Sequence, residues 1–326
     1  MGVIERYRDR LPVGPDTPEL SLGEGGTPLI RSCRLGEQLG VDLHFKFEGL
    51  NPTGSFKDRG MAVAVAKAVE GGAQGVICAS TGNPAASAAA YAARAGLTAV
   101  VLCPAGAIAA AKLAQSRAAG ARVLEVRGSF DEALRSCLEL VERGTFELVN
   151  SLNPNRIEGQ KTAAFEIDEE LGRAPDVLAL PYGGGGNTVA YAKGFREDGV
   201  RPRLVSAHAA QRAVTMASAI RIAEPAHLGE VEGLVAEGTV QPVPVSDDDV
   251  TRMWLDLASL EGLFCEPSSA AGLAALSKIE LEPGSTVVCV LTGHGLKDTA
   301  AVEVLTAGAT LVDPDVESIL AAVSHE

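Results

Sequence analysis

The chain has 326 residues, 46% hydrophobic and 21% charged, which is apolar material enough for about two globular domains. Its formal charge of -14 excludes nucleic acid and anionic membranes as expected partners, because both require a basic surface. No apolar run reaches the roughly 18 residues of a membrane span, and MGVIERYRDRLPVG lacks the apolar stretch of a secretory signal.

In chain order, Ala-rich helical stretches alternate with short runs rich in Val and Leu. A helix is expected over Ser55–Glu70, a strand over Gly75–Ala79, then helix Pro84–Ala95, strand Ala99–Cys103 and helix Ala109–Gly120. Strand Arg122–Val126 and helices Phe130–Arg143 and Gly159–Leu171 follow. The later elements are strand Val177–Leu180, helix Thr188–Glu197, strand Arg203–Ala207, helices Ser246–Glu261 and Ser268–Ser277, and strand Thr286–Leu291. This alternation predicts an α/β fold with a largely parallel sheet, whose ligands sit beyond the carboxyl ends of the strands. The six cysteines show no CxxC spacing and read as reduced core residues of a cytoplasmic protein. The five histidines form no HxH or HExxH pair, so no metal site is expected.

The motifs fall at strand-to-helix junctions. In GLNPTGSFKDRG, Ser55 is placed to cap a helix and Lys57 stands where the positive end of its dipole opposes a cation. Lys57 is thus either a solvated lysine beside Asp58 or an amine whose pKa the dipole and Arg59 depress, and a neutral amine attacks aldehydes. In ICASTGNPAAS, Ser80, Thr81 and Asn83 precede Pro84 at a helix start, which suits an anion or a plain capping turn. In LPYGGGGNTVAY, four consecutive glycines would be costly as a mere turn. They let backbone N–H groups approach one compact phosphate, and a side chain at Gly185 is expected to obstruct that approach. The loop is neither a Walker A sequence nor a dinucleotide fingerprint. LTGHGLKD leaves the hydroxyl of Thr292 at a strand end. NSLNPNRIEGQKT gathers Asn150, Ser151 and Arg156, as an oxyanion site or a polar surface loop.

The segments LGEGGTPL, FEGLNPTGSFKDRGM, STGNPAASAAAYAARAG, NSLNPNRIEGQKTAAFEI, EGLFCEPSSAAGLA and LTGHGLKD run in order from Leu22 to Asp298. Together they resemble the fold type II family of pyridoxal-phosphate enzymes, and within it the threonine synthase branch. The resemblance implies two doubly wound, largely parallel-sheet α/β domains with the cofactor in the cleft between them. The smaller would span 50–148, and the larger, pyridoxal-phosphate-binding one 1–49 plus 149–326. It implies pyridoxal 5'-phosphate held as a Schiff base on Lys57, with Asn83 at its 3-hydroxyl. Gly183, Gly184, Gly185, Gly186 and Asn187 would hold its phosphate, and Thr292 would face the pyridine nitrogen. Ser80, Thr81, Lys112, Asn150, Ser151 and Arg156 would bind an amino-acid substrate. The implied reaction turns O-phosphohomoserine and water into threonine and phosphate, in a homodimer. Two positions depart from the family pattern, with Pro84 in place of a usual Thr and Gly184 in place of a usual Asn. A serine/threonine dehydratase-like lyase, a paralogue with another substrate and a non-catalytic cofactor-binding protein are the competing readings.

Overall fold

The computed structural model describes residues 1–106 and 110–323, with backbone alone for 110–112. Ten strands form: β1 (Leu29–Arg31), β2 (Asp42–Phe47), β3 (Gly75–Ala79), β4 (Thr98–Pro104), β5 (Arg122–Val126), β6 (Glu147–Leu148), β7 (Val177–Pro181), β8 (Arg203–Ala209), β9 (Val240–Val245) and β10 (Thr286–Leu291). The first helices are α1 (Val3–Arg6), α2 (Leu35–Leu39), α3 (Lys57–Glu70), α4 (Asn83–Ala95), α5 (Ala110–Ala118), α6 (Phe130–Glu142) and α7 (Pro154–Leu171). They are followed by α8 (Gly186–Glu197), α9 (Leu228–Ala236), α10 (Asp247–Glu261), α11 (Ala271–Leu276), α12 (Ala300–Leu305) and α13 (Val316–Val323).

The strands build two sheets, one ordered β1-β2-β10-β7-β8-β9 and one ordered β5-β4-β3-β6. Every pairing is parallel except β1 with β2. Strands β7 (VLALP) and β10 (TVVCVL) are apolar almost throughout, as central parallel strands covered by helices require. β9 escapes sequence reading because VQPVPV contains Pro242 and Pro244. The fold tolerates them because β9 is an edge strand. β2 (DLHFKF) is masked by its charges, yet Lys46 is fully buried against Glu166 at 3.1 Å.

Helix α3 is buried on nearly all sides from Asp58 to Ala66, where Ala and Val let neighbours pack closely. Its crossing with α7 is set by two glycines. A Cβ on Gly60 would lie 2.5 Å from the Arg156 carbonyl oxygen, and one on Gly159 would lie 2.1 Å from that of Arg59. The contact brings the start of α3 beside the first turn of α7. That turn begins at Pro154 rather than at the expected Gly159, because Asn153 caps it through its Oδ1 and the Asn155 N–H at 2.9 Å.

Five cysteines are buried, but Cys33 is exposed, contrary to the expectation that all six are core residues. It follows the short edge strand β1, whose last residue, Arg31, is itself exposed. Among the described residues no helix is long and apolar enough to cross a membrane.

Candidate active site

Lys57 is the first residue of α3, two positions later than the expected helix start. Ser55 does not cap the helix. Its backbone pairs with Gly293 in an isolated bridge, and the Phe56 N–H donates to the Thr292 carbonyl at 3.0 Å. These contacts fasten Lys57 to the carboxyl end of β10. Asp58 does not accompany the lysine in solvent. It is buried and accepts from the Thr53 N–H (2.7 Å), the Thr53 hydroxyl (2.6 Å) and the Ser87 hydroxyl (2.6 Å).

Arg59 also points away from Lys57, which corrects its expected part in tuning the amine. Its guanidinium is fully buried between Glu48 (2.7 Å) and Glu166 (2.6 Å), with Thr27 and Thr162 completing the set. Burial works against charge at Glu166, yet Arg59 and Lys46 carry its carboxyl down to about 2. This closed ion cluster anchors α3 from behind, and breaking one partner would leave a buried charge uncompensated.

The charge that reaches Lys57 comes from Arg156, in the first turn of α7. The Lys57 side chain is half-buried with its ammonium densely surrounded by protein. Desolvation holds it down to about 7, with the Arg156 cation acting in the same direction and the Glu266 carboxylate opposing them. The neutral amine therefore predominates above about pH 7 rather than above the usual lysine range. A competitive amine-acylation experiment on the cofactor-free chain is expected to show Lys57 reacting with a midpoint near pH 7. A midpoint in the range of ordinary surface lysines would contradict this geometry.

Arg156 itself is 1% exposed, and its only hydrogen-bond partner among the described residues is the Val149 carbonyl, at 3.3 Å from Nη1. Nε and Nη2 are buried with no partner among those residues, and desolvation pushes the guanidinium down to about 10. Two fork donors of a buried cation are thus left for an external anion. Of its neighbours, Ser151 is half-buried, whereas Asn150 spends its amide on the end of β3, accepting from the Ala79 N–H (2.9 Å) and donating to the Ala79 carbonyl (3.2 Å). Asn150 thereby holds the Ser80–Thr81 loop in place. Ser80 is buried and accepts from the Gly82 N–H at 3.2 Å, while Thr81 is half-exposed. The side chain of Lys112 lies outside the described residues.

Asn83 opens α4 and donates from Nδ2 to both oxygens of Glu266, at 3.1 and 3.3 Å. Glu266 faces Lys57 and Lys297 as well. Sequence reading passed it over because a glutamate before Pro-Ser-Ser reads as an ordinary helix-entry residue. Thr292 is buried at the end of β10 with its hydroxyl 3.0 Å from that of Ser269, a second residue not singled out from the sequence.

The glycine loop runs from β7 into α8, with Gly185 at φ +89° as the N-cap. A Cβ there would lie 3.1 Å from both His227 Cβ and Val231 Cγ2. The obstacle is thus the protein behind the loop, not the anion in front of it as the sequence suggests. Asn187, the second residue of the helix, is buried with Nδ2 unpartnered among the described residues. The N–H groups of a helix's first turn have no intrahelical acceptors, so this end of α8 is built for a compact anion. Gly185→Val adds backbone strain of about 1–3 kcal/mol to that collision. It is expected to weaken cofactor affinity, measured by titrating cofactor into the cofactor-free chain, and unchanged affinity would reduce the loop to a turn.

An amine whose pKa is held down to about 7, a helix start with free N–H groups and a buried guanidinium with two donors unpartnered among the described residues are the features that a phosphorylated aldehyde and an anionic substrate would require. The chain belongs to the pyridoxal-phosphate dependent enzyme family, whose profile matches residues 20–293. Within it, threonine synthases are among the chain's most similar relatives. That of Halalkalibacterium halodurans is 48% identical over 318 residues, covering 91% of this chain and 90% of its own. That of Mycobacterium tuberculosis strain H37Rv is 47% identical over 342 residues, covering 96% of this chain and 94% of its own. Among solved structures, maize serine racemase superposes with a TM-score of 0.77 at 21% identity, over 99% of this chain and 97% of that one. Cysteine synthase of Entamoeba histolytica gives 0.78 at 19% identity, over 92% and 96%. These two likenesses show the shared fold of fold type II enzymes.

Proposed function

We propose that this chain is a threonine synthase, releasing threonine and phosphate from O-phosphohomoserine and water. The observation that carries the reading is Arg156, a buried cation with two donors unpartnered among the described residues, close enough to Lys57 to depress its pKa. A dehydratase acting on serine or threonine has no substrate phosphate for such a group to bind. Identity of 47–48% to threonine synthases over more than nine-tenths of this chain supports the same choice.

Pyridoxal phosphate fits the residues present. Lys57 would attach its aldehyde, the start of α8 from Gly183 to Asn187 would take its phosphate, and Asn83 would meet its 3-hydroxyl. Thr292, steadied by Ser269, would face the ring nitrogen as a neutral partner. When bound, the cofactor supplies an electron sink that acidifies the substrate's Cα–H. The Lys57 Nζ, its pKa held down to about 7, would take that proton and return it at later carbons. Arg156 and Ser151 orient the substrate phosphate and stabilise it as it departs. Ser80 and Thr81 lie on the strand-end loop that would receive the substrate carboxylate. We read the two sheets as two domains meeting near residues 50 and 148, in a cytoplasmic homodimer.

The test is a substrate panel. Purified protein with cofactor is expected to release phosphate from O-phosphohomoserine, and little ketoacid from serine, threonine or O-phosphoserine. Ketoacid from serine or threonine without phosphate release from O-phosphohomoserine would transfer the chain to the dehydratase reading.

A further inference from the structure

His227, between β8 and α9, is absent from every motif considered above, yet it touches both anion-binding elements. Its backbone N–H donates to the Gly184 carbonyl at 3.0 Å. Its ring backs the glycine loop, so that a Cβ on Gly186 would lie 3.3 Å from His227 Cδ2 and 3.5 Å from Nε2. Nε2 then donates to the Ser151 carbonyl at 2.9 Å, and Nδ1 faces a Glu230 carboxylate oxygen at 3.0 Å. The residue is 8% exposed. Glu230 fixes the ring's tilt from the first turn of α9, and that tilt sets where the Ser151 carbonyl is held.

We propose that His227 is a positioning residue that ties the glycine loop before α8 to the Ser151 turn that leads into Arg156 on α7, so that the two anions bind at a fixed separation. Among the described residues no hydrogen bond joins the two loops directly; Gly186 also lies near the Ile157 side chain. Asn150 and Asn153 anchor the ends of this turn, to Ala79 and to the Leu148 carbonyl, but Ser151 is half-buried and Leu152 exposed, so the bond from His227 is what fixes the tip between them. The separation of the cofactor phosphate and the substrate phosphate would then rest on the packing of α8 against α7, where Gly194 lies against the Lys161 carbonyl, and not on a direct tie at the two anion sites. The substrate half of this proposal rests on the threonine synthase reading, and the cofactor half does not.

His227→Leu removes both ring hydrogen bonds at similar volume, and His227→Asn is too short to span them. Each is expected to weaken pyridoxal-phosphate binding to the cofactor-free chain by about tenfold and to raise the holoenzyme KM for O-phosphohomoserine by a similar factor. The kcat is expected to stay within about twofold. Amide hydrogen exchange should quicken both at Gly184–Gly186 and at Ser151–Asn153. His227→Gln, which still presents an N–H toward Ser151, should recover both affinities to within about threefold. Wild-type affinity and exchange in the Leu and Asn variants would overturn the proposal, as would a loss of kcat or melting temperature alone. If wild type releases no phosphate from O-phosphohomoserine, the substrate reading fails instead, and cofactor affinity with hydrogen exchange still decides the role of His227.

Discussion

Arg156→Ala is expected to cut kcat/KM for O-phosphohomoserine by about 2–4 kcal/mol, roughly 30- to 900-fold, while the cofactor absorbance stays unchanged. The size follows from the environment of the side chain. The guanidinium is desolvated with Nε and Nη2 unpartnered among the described residues, so the folded chain carries the cost of a buried cation until an anion arrives. Arg156→Lys should recover only part of the loss, because an ammonium cannot present two parallel donors. A second readout separates this role from simple packing. The Arg156 cation depresses Lys57, so its removal should move the Lys57 titration midpoint upward from about 7. An unchanged specificity constant would remove the main support for a phosphorylated substrate.

Lys57→Ala is expected to abolish turnover altogether while leaving measurable, non-covalent cofactor binding through Gly183–Asn187. Lys57 stands at the start of α3 with its pKa held down to about 7. Lys297 is also depressed by desolvation, but its Nζ donates to the Thr53 carbonyl (2.9 Å) and to Gln115 (2.6 Å) and is therefore committed. Borohydride reduction of the wild type should fix the cofactor on the peptide carrying Lys57. A label on another lysine, or residual turnover by the Ala variant, would refute the assignment.

Much of this was legible in the sequence because it depends on local signals. Glycine runs, a proline opening a helix and apolar strands ending in hydroxyl or amide residues mark the strand-to-helix junctions where ligands bind. What stayed hidden depends on contacts across the fold. That Arg156 and not Arg59 acts on Lys57 is decided by the Gly60–Gly159 crossing, which brings α7 beside α3 and turns Arg59 into the Glu48–Glu166 cluster. Glu266 and Ser269 matter through Asn83 and Thr292, each distant in the chain. His227 shows no signal of its own, since Gly184 and Ser151 come from two distant segments and only Glu230 is local. The two departures noted in the sequence, Pro84 and Gly184, fall on half-buried positions, Pro84 in the first turn of α4 and Gly184 just before the N-cap of α8.

The central claim is most directly tested by turnover of O-phosphohomoserine in water enriched in heavy oxygen, with both products analysed by mass spectrometry. Threonine and phosphate are expected in equal amounts, with the heavy oxygen in the threonine hydroxyl and none gained by phosphate, because the carbon–oxygen bond breaks and water adds to carbon. Heavy oxygen in phosphate with homoserine as the other product, or ketoacid in place of threonine, would contradict it.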